Sequence, residues 1–564
     1  MNSRISRDAG GISLSAAGFS VLLLYLGILR AGDLPPYEVY WLSLLLIVLP
    51  VLLFVGGFSS ERSATVGLVV FSCAVNLMYP LLTRFDITYD ADSIYLYQLV
   101  TLILQQGHWQ PGTGTGIAVG YSLYPILPVF ISTFSLLTSL PLSVSVLWCL
   151  APVRAVVMPV LMLGFFRGYL SREASIVATF TFLTAPLLLH TANEAMAILF
   201  MITFLYLQAR THPIGRSFSI AILLLVIVLT MNHHFASFLM VAWMWTVLAT
   251  RRLGKSIAKS LRSEINGTRV EVALPAMATL SFLGWTAYVS HEVIGEWWIG
   301  LITSLGQLVY GLPSEYVPAL QRFTPYELLI IYADMFLLAS TTLYGLWIYV
   351  RHQRRLSAVI IGGFLLAVSL VISGVALRAT EVYTLFNRVF TFSYIGFVPL
   401  SALCVLGRRF RRTLGPLVLI VFVIGGSLVV TYSPRMYYHE PLGTTYLGPV
   451  RTEEFYTGTW FRAHSVQPSS IFGDRRSYEI LGGFGDSQIP YWDSRIFSSS
   501  SSENEVAEIM RIEDIHYVAL HRWMFLYPTF DFDTPLGYQQ AYKFANMPQL
   551  LRVYDDGSYW IYYW

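Results

Sequence analysis

The sequence predicts a polytopic α-helical membrane protein with about 13 transmembrane helices and a small C-terminal extracytoplasmic α/β domain. Of its 564 residues, 55% are hydrophobic and only 12% are charged, whereas soluble domains carry roughly 25% charged residues. Apolar stretches recur at about the 20-residue length that a helix needs to cross a ~30 Å hydrocarbon core. From about residue 433 the chain becomes polar and rich in tyrosine, which predicts a domain outside the membrane.

The individual spans follow from the loops, because short basic loops tend to stay in the cytoplasm. Basic loops alternate with loops that carry few or no basic residues. The predicted spans are 12–30, 38–57, 65–83, 147–168, 173–190, 194–209, 216–232, 234–250, 271–290, 325–350, 357–377, 388–407 and 413–432. We therefore expect a multi-pass protein of the plasma membrane, with its N-terminus in the cytoplasm. The basic start MNSRISR precedes an apolar stretch without a small-residue cleavage site, so the first helix should be retained.

One apolar segment is long enough to span but is expected not to cross. Counting GYSLYPILPVFISTFSLLTSLP (120–141) as a span would place the basic loop FFRGYLSRE outside and invert every later loop. We assign this segment, with IYLYQLVTLILQQ before it, to helices on the outer membrane surface. The predicted domains are then a membrane domain at 1–432, with an external loop at 84–146, and an external domain at 433–564.

The external C-terminal domain shows its own pattern. SSIFGD, HYVALH and LLRVYDDGSYWIYYW are strand-like, and the last predicts a hairpin that turns on Asp556-Gly557. RRSYEILGGF and ENEVAEIMRI predict helices between the strands, so the domain should be α/β.

The segment RFDITYDADSIYLYQ places Asp86, Asp90 and Asp92 just beyond the outer end of a predicted span. Carboxylates there can deprotonate an acceptor hydroxyl, or bind a divalent cation that neutralises a phosphate leaving group. Alternatively, the aspartates cap a helix that starts near Ser93. The residues alone leave both interpretations open.

The order of motifs from about 84 to 407 resembles the GT-C superfamily of membrane glycosyltransferases. In that superfamily an acidic pair in the first external loop precedes an amphipathic helix and a Gly/Trp turn, here YDADSIYLYQLVTLILQQGHW. A Pro-rich surface helix follows, here YPILPVF. The later motifs match PVRAVVMPVLMLGFFRGYLSRE, FTFLTAPLLLHTANEAMAILF, LTMNHHFASFLM and FNRVFTFSYIGFVPLSAL. The resemblance is to protein O-mannosyltransferases and aminoarabinose transferases in particular.

The match departs from the family in three places. Two spans precede the acidic loop where most members have one, and Tyr124 replaces the histidine of the Pro-rich motif. EWWIG (296–300) is similar to the oligosaccharyltransferase motif WWDYG but lacks the aspartate and lies between spans. An oligosaccharyltransferase is therefore disfavoured, and EWWIG is interpreted as an interfacial aromatic anchor.

Other candidate site residues lie at predicted outer ends of spans. Glu194 is a candidate catalytic carboxylate beside Asp90 and Asp92, or a first-turn residue that complements a helix dipole. His233 and His234 are candidates for binding the donor phosphate or a sugar hydroxyl. Adjacent helix residues point about 100° apart, so the two should not share one metal ion.

The resemblance implies a sugar donor carried on a lipid phosphate. Arginine is the preferred partner for that phosphate, because a guanidinium binds phosphate bidentately. Arg388 is the first candidate, supported by the resemblance, and Arg378 is the second. Both arginines could instead snorkel to lipid headgroups. Arg154 and Asp334 lie within predicted spans, where ionisable groups usually face the bundle interior. They could pair with each other structurally or contribute to a site.

The resemblance implies an inverting glycosyltransferase that moves a sugar from a polyprenyl (dolichyl or undecaprenyl) phosphate carrier to a protein, lipid or glycan acceptor. The sequence leaves the need for a metal open; if the reaction uses a divalent cation, Mg²⁺ or Mn²⁺, Asp90 and Asp92 would hold it. The alternatives are a transporter or flippase of lipid-linked saccharides, which would carry ionisable residues and broken spans near the bilayer midplane, and a membrane-anchored scaffold. The sequence shows no nucleic-acid-binding surface and no phosphate-binding glycine loop.

Overall fold

A computed structural model of the chain describes most of its residues. They are 2–31, 35–82, 91–113, 117–185, 193–210, 216–261, 264–266, 272–291, 325–352, 355–378, 383–407, 410–429, 452–466, 469–485, 494–498, 501–526 and 537–564.

The described helices are α1 (Asn2–Ala31), α2 (Tyr37–Gly56), α3 (Glu61–Leu82), α4 (Ala91–Gln106), α5 (Ile117–Ser122), α6 (Ile126–Thr138), α7 (Leu142–Trp148), α8 (Ala151–Arg167), α9 (Arg172–Leu183), α10 (Asn193–Arg210), α11 (Arg216–Asn232), α12 (His234–Leu261), α13 (Ala273–Tyr288), α14 (Pro325–His352), α15 (Ala358–Arg378), α16 (Tyr383–Val405), α17 (Leu414–Val429), α18 (Thr452–His464), α19 (Arg475–Gly483), α20 (Glu503–Ile512), α21 (Trp523–Leu526) and α22 (Tyr538–Asn546). The described strands are β1 (Glu264–Asn266), β2 (Arg355–Ser357), β3 (Ile471–Phe472), β4 (Tyr517–His521), β5 (Leu551–Asp555) and β6 (Tyr559–Tyr563).

The chain divides into two compact units. The first comprises Met1–Tyr79 and Leu150–Pro434, and the second comprises Pro80–Cys149 and Arg435–Trp564. The predicted external loop 84–146 therefore packs in one unit with the C-terminal residues, although it is far from them in sequence. The predicted domain boundary at 432 lies outside the described residues.

Each of the thirteen predicted spans coincides with a helix of the structure. The largest differences lie at the ends. α1 begins at residue 2 instead of 12, and α12 continues to Leu261 instead of 250. α9 ends at Leu183 instead of 190, because Pro186 lacks a backbone N–H and disfavours helix in the residue before it.

Four helical stretches of the described chain are long and apolar enough to cross a membrane by length and composition alone. They are Ala9–Leu29, Tyr37–Gly56, Leu142–Arg167 and Pro325–Arg351. Six further apolar helices of 10 to 17 residues are shorter, among them Ala195–Ala209 and Leu414–Leu428. The protein is thus an integral membrane protein, while the total of thirteen crossings stays a prediction.

Polar contacts join loops at one end of the first unit. Arg167 at the end of α8 pairs with Glu61 at the start of α3, with 2.8 Å between Nη2 and Oε1. Arg411 pairs with Glu173 at the start of α9 (3.1 Å) and donates from Nε to the Val55 carbonyl near the end of α2 (2.9 Å). Partly exposed pairs contribute at most about 1 kcal/mol each, but they place the loops before α3, α9 and α17 at the same end of the helices.

The segment 120–141 is broken into short helices. α5 and α6 have 6 and 13 residues, and Ser139, just after α6, has φ of 55°. A 13-residue helix is about 20 Å long, shorter than a ~30 Å hydrocarbon core. Neither helix is therefore long enough to span alone, and the surface location stays a prediction. α7 follows this segment and belongs to the apolar stretch Leu142–Arg167.

The C-terminal residues form the predicted α/β domain around a four-stranded sheet in the order β3-β4-β6-β5. β3 and β4 are parallel, and the other two pairs are antiparallel. The predicted hairpin is confirmed, because β5 and β6 are joined at Asp556-Gly557, where Gly557 has φ of 80°. Both predicted helices are also confirmed, as α19 and α20.

Candidate functional site

The acidic segment leads into α4. The helix begins at Ala91, two residues before the predicted start, so Asp92 lies in its first turn. A carboxylate in that position is stabilised by the helix dipole. The position of Asp92 therefore fits a helix-capping role as well as a catalytic one. Asp86, Asp90 and the side chain of Asp92 lie outside the described residues.

α4 is held in the second unit on two sides. Ile94 is fully buried in an apolar cluster with C-terminal residues, among them Phe461, Leu481 and Phe484. On another face of α4, Tyr95 stacks on Tyr121 of α5, with 6.1 Å between ring centroids. The helix that carries the acidic segment is therefore part of the core of the C-terminal domain.

The two histidines lie where α11 ends and α12 begins. His233 is buried, and its Nδ1 accepts a hydrogen bond of 3.3 Å from the backbone N–H of Ala236. It therefore caps α12 instead of belonging to it. The two imidazole rings stack with centroids 4.8 Å apart and planes 15° apart. The predicted 100° divergence of the two side chains is thus wrong, because His233 precedes the helix.

The histidine turn lies beside the helix that carries Arg388. Phe235 makes an edge contact with Phe392 of α16, with 5.7 Å between centroids. Position 388 lies one turn before Phe392, and residues four apart share one face of a helix. The structure thus brings the turn of His233 and His234 next to the face of α16 that bears position 388, whose side chain lies outside the description.

Arg378 and Arg388 lie on two helices that cross closely. A Cβ at Gly396 of α16 would overlap the backbone oxygen of Gly363 in α15. Arg378, the last residue of α15, lies fifteen residues beyond Gly363, and Arg388 lies eight residues before Gly396. At about 1.5 Å per residue, the two positions differ by about 10 Å in depth. The two arginine positions therefore lie at the same end of the helices but at different depths.

Glu194 and Arg154 share that end of the first unit. Glu194 is the second residue of α10, and Arg154 lies in the first turn of α8, which packs on α10. Arg154 is only 1% exposed. Because α10, α11 and α12 are successive contacting helices, Glu194 lies at the same end as His233.

Asp334 does not pair with Arg154 within the described chain. The carboxylate of Asp334 on α14 accepts a hydrogen bond from the hydroxyl of Tyr394 on α16. Gly425 of α17 lies against the side chain of Asp334, because a Cβ added at Gly425 would be 2.6 Å from Cβ of Asp334. Asp334 therefore joins three helices, and sequence reasoning identified the residue but missed its partner.

The described residues hold no group of three or more His, Cys, Asp or Glu side chains that could bind a metal ion. Asp90 and Asp92, the predicted ligands, are not tested by this, since their side chains are outside the description.

The C-terminal domain contains a buried ionic cluster that sequence reasoning missed. Asp474 caps α19, accepting from the backbone and hydroxyl of Ser477 at 2.8 Å each, and its other oxygen lies 2.9 Å from Nε2 of His521. Burial alone would raise the pKa of Asp474. The charge and hydrogen bond of His521 and the two hydrogen bonds from Ser477 lower it. An aspartate before a helix is a cap signal, whereas nothing in the sequence indicates its histidine partner.

A second pair lies in the same cluster. Arg476 donates from Nε and Nη2 to the two oxygens of Glu454, at 2.9 and 2.7 Å. Burial opposes the charge of Arg476, yet Glu454 and Glu479 raise its pKa further. These charges are paired in the interior, so the cluster connects α18 to α19.

No protein-family model matches the sequence, and no curated protein matches it. The structure is similar to that of the Archaeoglobus fulgidus oligosaccharyltransferase tethered to an acceptor peptide containing the NVT sequon. The TM-score is 0.50 at 11% identity, covering 81% of this chain and 69% of that one. ArnT from Cupriavidus metallidurans in the apo state aligns over 88% of this chain and 98% of that one at 12% identity, with a TM-score of 0.39.

The fold and the apolar helices define a polytopic helical membrane protein with a C-terminal α/β domain. Within that class, the chain shares the fold of the archaeal oligosaccharyltransferase, and this fold agrees with the resemblance in the motifs to the GT-C superfamily. Likeness of fold does not distinguish an oligosaccharyltransferase from other members, and EWWIG lies outside the described residues.

Proposed function

We propose that this chain is an inverting glycosyltransferase that moves a sugar from a polyprenyl-phosphate carrier to an acceptor hydroxyl on the extracytoplasmic face. The observation that carries the proposal is the acidic segment at the start of α4, in a chain with the GT-C fold. A fold alone does not define an activity, so the proposal rests on the carboxylates together with the cationic groups described above.

The chemistry needs a base and an activated leaving group. Asp90 or Asp92 removes the proton from the acceptor hydroxyl while the hydroxyl oxygen attacks the anomeric carbon of the donor sugar. The bond between the anomeric carbon and the phosphate oxygen breaks, and the carrier leaves as polyprenyl phosphate. A single displacement inverts the anomeric configuration. The other of the two aspartates orients the acceptor, and Glu194 is a further candidate carboxylate.

The donor phosphate is bound by cations at the end of the first unit that carries Glu194. Arg388 provides the bidentate contact, and Arg378 lies at another depth on the neighbouring helix. The contact between Phe235 and Phe392 supports a contribution from His234, since the turn lies beside position 388. His233 is already engaged in capping α12.

A divalent cation, Mg²⁺ or Mn²⁺, would be held by Asp90 and Asp92 and would neutralise charge on the leaving phosphate. The acceptor is a protein, a lipid or a glycan, and the C-terminal domain helps to bind it.

The test is sugar transfer by purified protein in liposomes, with a panel of radiolabelled polyprenyl-phosphate sugars and total membrane acceptors. Wild type is compared with Asp90→Asn and Asp92→Asn. The matched control is Asp514→Asn, because Asp514 is exposed and its φ of 51° is one that asparagine tolerates.

We expect transfer by wild type and the control, and a loss of at least about 100-fold in one aspartate variant, in the range of general-base catalysis. Equal passage of intact carrier-linked sugar across the bilayer by every variant, without transfer, would identify a transporter and refute the proposal. A chelator that abolishes transfer, reversed by Mg²⁺ or Mn²⁺, would add the metal to the mechanism.

A further inference from the structure

Asp92 lies in the first turn of α4, so its position depends on what holds that helix. Asp92 lies two residues before Ile94, which is less than one turn of helix. Ile94 is completely buried among residues of α18, α19 and the C-terminal sheet, including Phe461, Leu481 and Ile561. A shift of the C-terminal core at Ile94 would therefore move the start of α4.

Gly483, the last residue of α19, makes the closest approach to α4. A Cβ at Gly483 would overlap Cγ2 of Ile94 and would lie 3.3 Å from its Cβ. The φ of Gly483 is not in the left-handed region, in contrast to Gly557. Glycine is therefore needed at this position for space and not for backbone conformation.

Aromatic contacts fix the next turn of α4 on the same domain. Tyr97 makes edge contacts with Phe484 and Phe455, with centroids 5.5 and 6.5 Å apart. Phe455 in α18 also contacts Phe484, at 5.0 Å. Such pairs contribute orientation as well as burial, so rotation of α4 about its axis is restricted.

α19 is itself anchored at its other end. Asp474 caps its first turn and binds His521 of β4, while Arg476 is bound to Glu454 of α18. A second close approach lies between α18 and α19, where a Cβ at Gly458 would be 2.6 Å from Cβ of Phe484. The sheet, α18, α19 and α4 thus form a continuous packed series.

We propose that Gly483 is a positioning residue: by allowing α19 to touch Ile94, it sets the placement of α4 and so of position 92 in its first turn. The C-terminal domain then contributes to the rate of the chemical step as well as to acceptor binding. This inference rests on the proposed function. A misplacement of about 1 Å can cost about 100-fold in rate, and a methyl group at Gly483 forces a shift of that order.

The experiment measures transfer kinetics for Gly483→Ala, Ile94→Ala and the double variant. The matched control is Gly120→Ala, since Gly120 is a helical glycine of the same unit whose Cβ would meet nothing within 4 Å. We expect Gly483→Ala to lower kcat by about 10- to 100-fold, with the KM for the donor within about twofold of wild type. Removal of the Ile94 side chain opens the space that the new methyl group needs, so the double variant should be faster than Gly483→Ala.

Wild-type kcat in Gly483→Ala, or a double variant as slow as the product of the two single effects, would overturn the inference. If Gly483→Ala cannot be purified in a folded state, recovery of folded, active protein on adding Ile94→Ala supports the inference, and failure to recover it overturns it. A wild-type chain that transfers no sugar would instead overturn the proposed function, whatever happens at Gly483. The two failures are therefore distinguishable.

Discussion

Nε2 of His521 lies 2.9 Å from the Oδ2 atom of Asp474, and both side chains are buried in the C-terminal domain. The pair connects the start of α19 to the end of β4, which are 47 residues apart in sequence. Because α19 also contacts the helix that carries Asp92, this pair is part of the support for the acidic segment.

The Asp474 pair predicts acid sensitivity. The pKa of Asp474 is lower in the folded chain than in the unfolded one. Its contribution to the free energy of unfolding is therefore fully present above the unfolded pKa of about 3.9. It is lost as pH falls from there through the folded pKa. We expect Asp474→Asn to cost about 3 kcal/mol near pH 7 and progressively less as pH falls below about 3.9.

Thermal unfolding of the full-length protein in detergent between pH 3 and 7 measures this difference. Asp514→Asn, which removes a carboxylate that is 90% exposed, should show no such pH-dependent loss. A difference between Asp474→Asn and wild type that stays constant down to pH 3 would contradict the assignment.

The hydrogen bond from Ala236 to His233 predicts a difference between two substitutions at one position. His233→Ala removes the cap of α12 and should lower stability by about 1 kcal/mol relative to His233→Asn, since asparagine is among the best capping residues. Both variants lose the stacking on His234, so their comparison isolates the cap. Equal melting temperatures for the two variants would show that the cap does not contribute.

Substitutions of Arg388 should separate the contribution of positive charge to donor binding from that of bidentate geometry. Arg388→Lys keeps the positive charge but loses the bidentate fork, and a charge-assisted hydrogen bond is worth about 1.5–3 kcal/mol. We therefore expect the KM for the donor to rise about 10-fold in Arg388→Lys and by more in Arg388→Ala. Arg511→Lys, at an exposed position in α20, is the control. An unchanged donor KM in Arg388→Ala would place the phosphate elsewhere.

The predicted membrane orientation is tested with single cysteines in a chain from which Cys73, Cys149 and Cys404 have been replaced. Arg511→Cys in the C-terminal domain should react with a membrane-impermeant maleimide in intact cells. Arg412→Cys, in a loop predicted to be cytoplasmic, should react only after lysis. The reverse pattern would invert the topology and exclude an extracytoplasmic site at Asp92.

The helices were largely predictable, because apolar length and loop charge depend on local sequence. The errors have local causes as well. α12 extends past the apolar stretch because RRLGKSIAKSL is rich in good helix formers, and α9 stops before Pro186. The loop contacts of Arg167 and Arg411 agree with the predicted alternation.

The site was less predictable, because its support depends on residues far apart in sequence. The family motifs proposed Asp92 and Arg388 as candidates, but no local pattern relates Ile94 to Gly483 or Asp474 to His521. A buried pair of opposite charges depends on tertiary packing, and a glycine required for space looks like any other glycine. These contacts therefore needed the three-dimensional structure.

The most direct test of the account is the amount of free polyprenyl phosphate released per sugar transferred by purified wild-type protein in liposomes. We predict one carrier phosphate for each new glycosidic bond, with both products lost together in Asp90→Asn or Asp92→Asn, whichever removes the base. Carrier-linked sugar that stays intact on either side of the bilayer, with no free polyprenyl phosphate formed, would contradict a glycosyltransferase.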